Sequence, residues 1–119
     1  VHTARIEVGQ YLPDWRPDSD YRTGVSAQEK LGGGALLELS HEIDYATWLF
    51  GWPKSLQCSR AKLSSLEIDV EDSAHILMEY PNKNVAVQLD FLQRTANMAV
   101  QIVAERGTLY ADLIKEELT

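Results

Sequence analysis

The sequence predicts an α+β domain, a mostly antiparallel open-faced sheet with a main helix packed on one face. Three observations carry that prediction. Alternating apolar and polar residues recur in one run near the start and in five runs after Pro53. A single stretch, Ala35 to Phe50, has helical spacing instead. The later alternating runs are joined mainly by short, turn-forming links, which favours antiparallel neighbours over crossovers.

Taken in order, ARIEVGQYL (4–12) places Ala4, Ile6 and Val8 on one face and Arg5, Glu7 and Gly9 on the other, the pattern of a half-buried strand. From Pro13 to Leu31 the pattern disappears among Pro13, Asp14, Pro17, Asp18, Asp20, Gly24 and Ser26, so a long irregular excursion is expected. Gly32-Gly33-Gly34 then leads into the helix, which Gly51 and Pro53 close. At about 100° per residue, Leu36, Leu39, Ile43, Ala46 and Phe50 share an arc that faces the sheet. The opposite arc carries Glu38, His41, Tyr45 and Trp48, with Asp44 beside His41.

The runs SLQCSRAKL, SAHILMEY, NVAVQLDFLQ, NMAVQIVAE and TLYADL follow as strands. Pro81-Asn82-Lys83-Asn84 and Glu105-Arg106-Gly107-Thr108 read as hairpin connections. Tyr80, Phe91 and Tyr110 are expected as core residues of these strands, and Cys58 as an ordinary strand residue. Ala86 and Val103 fall on the sheet face away from Val87 and Ile102, and a second copy of the chain is the economical cover for that face. A homo-oligomer is therefore expected.

With 119 residues the chain suffices for one domain and one modest core. Acidic residues outnumber basic ones 18 to 11, a formal charge of -7 with no basic stripe, which argues against nucleic acid as a partner. No apolar run approaches the roughly 20 residues of a membrane span. One cysteine permits neither an internal disulfide nor a cysteine-built zinc site, and a cytoplasmic location is the natural expectation. The sequence opens at Val1 with neither initiator methionine nor leader, and is read as a piece of a longer protein.

Several residues have the means for chemistry. Gly32 to Gly34 suit a sharp bend or a close backbone approach, but they form neither GxGxxG nor a P-loop. His41 has Glu38 at i−3 and Asp44 at i+3, spacings at which a carboxylate orients an imidazole that donates or accepts a proton. The same three residues are also a conceivable metal set, but HExxH spacing is missing and His2 and His75 lie on other elements, so no metal is expected. A lone histidine can equally be structural. In the excursion, Tyr11, Trp15 and Tyr21 stand among Asp14, Arg16 and Arg22. Rings stack on the C–H faces of sugars and Arg or Asp bonds hydroxyls, so Tyr11, Trp15, Arg16, Tyr21 and Arg22 are candidate substrate contacts. The alternative is a loop pinned to its own sheet by Trp15.

The run GGGALLELSHEIDYATWLFG, with the preceding YLPDWRP and DYR, resembles the C-terminal domain of the glucose-fructose oxidoreductase and inositol dehydrogenase family (Gfo/Idh/MocA). There a Gly-rich turn leads into a helix whose HxxD-type segment, ending in a W-L-x-G pattern, lines the substrate pocket. Here those positions are His41, Asp44 and Trp48 to Gly51. The resemblance covers nearly the whole chain and implies a dihydrodipicolinate-reductase-like C-terminal fold. It also implies hydride transfer between NAD or NADP and a sugar, sugar nucleotide or cyclitol carbon, with His41 acting on the hydroxyl proton.

The same resemblance implies that residues 1–119 are a substrate-binding and oligomerisation domain. The dinucleotide would be bound mainly by a separate N-terminal Rossmann domain carrying the GxGxxG turn and a catalytic lysine, so the chain alone should be inactive. Glu29-Lys30-Leu31 is not that lysine motif. Many members place an aspartate four residues before the histidine, where this chain has Leu37, with Glu38 one position later. Glu38 and Asp44 are thus candidate substrate-binding residues beside the catalytic candidate His41. The rival reading is a non-catalytic sugar-binding or assembly module with the same fold.

Overall fold

The computed structural model describes residues 1–119 and contains one seven-stranded sheet with two short helices against one face. The strands are β1 (Thr3–Gly9), β2 (Ser55–Ala61), β3 (Ser73–Glu79), β4 (Asn84–Asp90), β5 (Asn97–Ala104), β6 (Gly107–Asp112) and β7 (Glu117–Leu118). Their order across the sheet is β2-β3-β4-β1-β5-β6-β7. Every neighbouring pair is antiparallel except β1 and β4. Strand β1 fills the slot between β4 and β5, a place the sequence reading did not assign it, and its long connection to β2 makes the parallel pairing with β4 possible.

Alternation sorts the strand residues into two faces. Ala4, Ile6 and Val8 of β1 register with Val85, Val87 and Leu89 of β4, and all six are buried. Ala74, Ile76 and Met78 of β3 continue that layer, which the helices and the loop residues Leu12, Ala27, Leu66, Ile68 and Val70 cover. The other face has no helix. It carries Arg5, Glu7, Gln57, His75, Gln88 and Gln101 around Leu77, Ala86 and Ala99, and is more polar than Ala86 and Val103 suggested.

The helical stretch is interrupted. Helix α1 is Ala35–Glu38 and helix α2 is His41–Phe50. Leu39 leaves helical geometry at φ −108°, ψ 21°, and the Glu42 amide bonds back only to the Leu39 carbonyl at 3.2 Å. The Ser40 carbonyl then accepts from both Ile43 and Asp44, restarting the ladder. On either side of the break the apolar arc holds: Leu39 and Ala46 are buried, while Leu36, Ile43 and Phe50 pack against the core at part exposure.

The excursion is more ordered than expected. Four 3-10 turns, Leu12–Asp14, Tyr21–Thr23, Val25–Ala27 and Glu29–Leu31, divide it, and Leu12, Ser26 and Ala27 are buried. The first strand ends at Gly9 rather than residue 12, and β2 at Ala61 rather than Leu63. Of the three aromatic residues expected in the core, Phe91 is fully buried and Tyr80 packs at its edge. Tyr110 is 42% exposed because it falls on the uncovered face of β6.

Candidate active site

Two glycines of the triplet set the entry to the helices. A Cβ on Gly33 would stand 2.2 Å from the Val25 carbonyl oxygen, so the backbone approaches too closely there for any side chain. Gly34 has φ 112°, and a Cβ there would meet the Glu71 carboxylate at 2.8 Å. Glu71 accepts from the Leu36 amide at 3.1 Å through its side chain and from the Ala35 amide at 3.1 Å through its carbonyl. The first turn of α1 is therefore capped from the segment before β3. The space at Gly33 and Gly34 is already filled by protein, while that at Gly32 is open.

His41 opens α2 on the face away from the core, its side chain 56% exposed. Beside it lies a residue that the sequence reading passed over. Glu42 is completely buried, and its Oε1 lies 2.5 Å from His41 Nε2. Neither Glu42 oxygen has an aligned hydrogen-bond donor, and the Tyr45 hydroxyl is likewise buried without one. Tyr45 is near enough that the carboxylate and phenol perturb each other, although the pair is not aligned as a hydrogen bond. Burial raises the Glu42 pKa, opposed by Tyr45 and by the charge of His41. Burial first, then Glu42, also raises the pKa of the Tyr45 phenol. Tyr45 therefore belongs to the inward side of α2, not to the outer polar arc.

Glu42 has a positional signal in hindsight. It stands four residues before Ala46 and three after Leu39, at the margin of the apolar arc, where an acid is expensive. Glu38 and Asp44 make no hydrogen bond to His41 through their side chains, and Asp44 is exposed. No cluster of three His, Cys, Asp or Glu side chains that could hold a metal ion is formed.

The loop candidates are engaged locally. The Trp15 ring packs edge-on against Phe91, and its Nε1 donates to the Gln10 carbonyl at 3.1 Å. The Tyr21 hydroxyl accepts from the Glu67 amide at 3.0 Å. Arg22 pairs with Asp20 at 2.9 Å and Glu67 at 2.7 Å, and Arg94 sits 3.6 Å over the Tyr11 ring. Arg16 is exposed. The hollow inside this loop, between Trp15, Arg16 and Tyr21, is about 30 Å³, room for a water and not a sugar ring.

Larger concavities lie outside that hollow, and Tyr11 and Arg94 border one of about 250 Å³ together with Leu63, Leu66 and Leu92. One of about 370 Å³ sits on the uncovered sheet face over Arg5, Gln57, His75 and Gln88. Another of about 380 Å³ is an apolar groove between α2 and β2–β3, lined by Leu36, Ile43, Trp52, Leu56 and Met78. None of these three includes His41.

The model of the GFO/IDH/MocA C-terminal domain matches residues 1–110. The chain belongs to the Gfo/Idh/MocA family. Its fold recurs in GenD2 from gentamicin A biosynthesis, solved in complex with NAD, at TM-score 0.74 and 24% identity over 95% of this chain and 32% of that one. It recurs in the WlbA dehydrogenase of Bordetella pertussis, solved with NADH and UDP-GlcNAcA, at TM-score 0.74 and 20% identity over 93% of this chain and 34% of that one. An inositol dehydrogenase homolog from Azotobacter vinelandii, complexed with NAD+, gives TM-score 0.75 and 17% identity over 93% and 31%. Among curated proteins, none matches the sequence. This Gfo/Idh/MocA domain spans about a third of the length of these structural relatives. No helix in it is long and apolar enough to cross a membrane.

Proposed function

We propose that this domain is the substrate side of an NAD- or NADP-dependent oxidoreductase acting on a hydroxyl of a sugar, sugar nucleotide or cyclitol, with His41 as the acid/base residue. The observation that carries the reading is an exposed histidine at the first position of the α2 segment that the family model spans. An exposed imidazole over a buried carboxylate has what proton exchange with an alcohol oxygen needs: a nitrogen open to substrate and a nearby negative charge to balance it.

The glycine turn offers the dinucleotide little room at Gly33 and Gly34, where the Val25 and Ser26 carbonyls and Glu71 stand. A separate Rossmann domain is the proposed holder of the cofactor, which when bound supplies the hydride chemistry. The three relatives solved with NAD or NADH favour a nicotinamide cofactor. The WlbA structure with UDP-GlcNAcA and a homolog solved with myo-inositol favour a polyhydroxylated substrate. Asp44 and Glu38 are proposed to bond substrate hydroxyls from the same helix pair, and Arg16, with its free guanidinium edge, to reach substrate from the loop. The uncovered sheet face is the proposed contact between copies in a cytoplasmic homo-oligomer.

The test is turnover by the complete protein with nicotinamide dinucleotides and a panel of sugars, cyclitols and sugar nucleotides. Replacing His41 by Ala should lower kcat by about 10²-fold or more with dinucleotide affinity nearly unchanged. Undiminished turnover would remove His41 from the chemistry. A wild type that binds such a sugar without turning it over would favour the non-catalytic binding module.

A further inference from the structure

We infer that Glu42 is the positioning residue of the site: its buried carboxylate holds the Nε2 edge of the His41 ring, leaving Nδ1 as the nitrogen that meets the substrate hydroxyl. The inference rests on the oxidoreductase reading of His41.

Two carboxylates are completely buried, Asp72 and Glu42. Asp72 receives the Leu63 amide at 2.9 Å, the Ser64 amide at 3.0 Å and the Ser64 hydroxyl at 2.5 Å, as a structural buried acid should. Glu42 receives no aligned donor at all. A buried acid without hydrogen bonds lowers stability, so Glu42 contributes nothing to the fold that an apolar or amide side chain would not exceed. Its neighbour explains the position better. His41 Nε2 lies 2.5 Å from its Oε1, and the His41 ring is the exposed group of the helix entry.

The geometry gives each member of the pair a task. Nε2 is the ring nitrogen in contact with the carboxylate, and Nδ1 is the nitrogen left without a protein partner. When the substrate O–H bond breaks and its proton forms a bond to Nδ1, the electron pair stays on oxygen and the ring becomes an imidazolium. The positive charge then lies against a buried carboxylate, the arrangement by which a buried acid supports a histidine base in hydrolases. Glu42 is also the second residue of α2, where the helix N-terminus favours negative charge. Tyr45, one turn on, has its hydroxyl buried near the same carboxylate.

The test compares Glu42→Gln, Glu42→Asp and Glu38→Gln in the complete protein. Glu42→Gln should lower kcat about tenfold to a hundredfold with KM for sugar and dinucleotide little changed, and Glu42→Asp should recover part of the loss. The same Gln substitution should shift the ring-nitrogen NMR signals of His41, which Glu38→Gln should leave in place, and should keep or raise the melting temperature. Unchanged kcat overturns the inference, as does a Glu42→Gln protein that unfolds, because that would make the acid structural. Unmoved His41 signals in an active wild type overturn the pairing alone. A wild type inert toward every polyol overturns the oxidoreductase reading, and the catalytic task of Glu42 with it, whatever the ring signals show.

Discussion

The indole of Trp15 meets the ring of Phe91 edge-on, with centroids 5.2 Å apart and planes at 88°. Phe91 follows β4 and is fully buried, so this contact ties the middle of the excursion to the sheet. Trp15→Ala should therefore destabilise the domain by about 3 kcal/mol, the low end for a large aromatic because Trp15 is only half-buried. Trp15→Phe should recover most of it, losing chiefly the bond to the Gln10 carbonyl. Urea unfolding checks both. If Trp15 instead served only substrate, stability would be unmoved.

Asp72 organises the turn between β2 and β3 through its bonds to Leu63 and Ser64. Burial alone would push its carboxyl up. The bonds from Ser64 and Leu63, aided by the Lys62 charge, outweigh burial and hold the pKa below the ordinary 3.8. The folded pKa is thus the lower one, so the stabilisation is complete above the unfolded value and is lost as pH falls below 3.8 through the folded pKa. Asp72→Ala, which strands two amides, should cost about 1–3 kcal/mol near neutral pH. The gap between wild type and variant in thermal melts should narrow as the solution is acidified.

Glu42 predicts the opposite pH trend. Its folded pKa is raised above the ordinary 4.5, chiefly by burial, with Tyr45 and His41 opposing. The folded state then binds the proton more tightly, so stability is greatest below the unfolded pKa and falls as pH rises through the folded one. The difference in melting temperature between Glu42→Gln and wild type should be small near pH 4 and grow in favour of the variant toward about pH 8. A constant difference would show that the carboxyl is not perturbed.

Gly33→Ala should be among the most damaging single changes. The added methyl would press on the Val25 and Ser26 carbonyls, which are backbone and cannot swing aside. A loss of about 1–3 kcal/mol or more is expected from chemical denaturation. At Gly9 the added carbon would meet side chains, those of Gln93 and Asp90, and not backbone, so Gly9→Ala should cost less. Equal losses at the two positions would contradict this account of the turn.

The alternation in ARIEV, SAHILMEY and NVAVQLD made the buried faces of β1, β3 and β4 legible, because one-sided burial leaves a period of two in any strand. The helix was legible from its apolar arc, and His41 from its place opposite that arc. The break at Leu39 was not, since Leu39 and Ser40 are unremarkable in a helix and the anchor on Glu71 that sets the direction of α1 comes from a segment 35 residues away. The four 3-10 turns were hidden for a related reason: their order comes from contacts such as Tyr21 with Glu67, not from local periodicity. Glu42 was missed because a charged residue beside a histidine reads as solvent-facing until the sheet beneath the helix is known. Tyr110 misled because an aromatic strand residue has equal access to either face of a sheet covered on one side.

The central place of β1 has a kinetic consequence. Its two neighbours in the sheet are β4 and β5, so the first strand of this domain to be synthesised is among the last to find its partners. Until residues 84–104 have been synthesised, Ala4, Ile6 and Val8 have no sheet to join, and an apolar edge stays open on the nascent chain. Assembly of this domain is governed by distant pairing and should be slow relative to a helical domain of its size, with insertion of β1 closing the sheet.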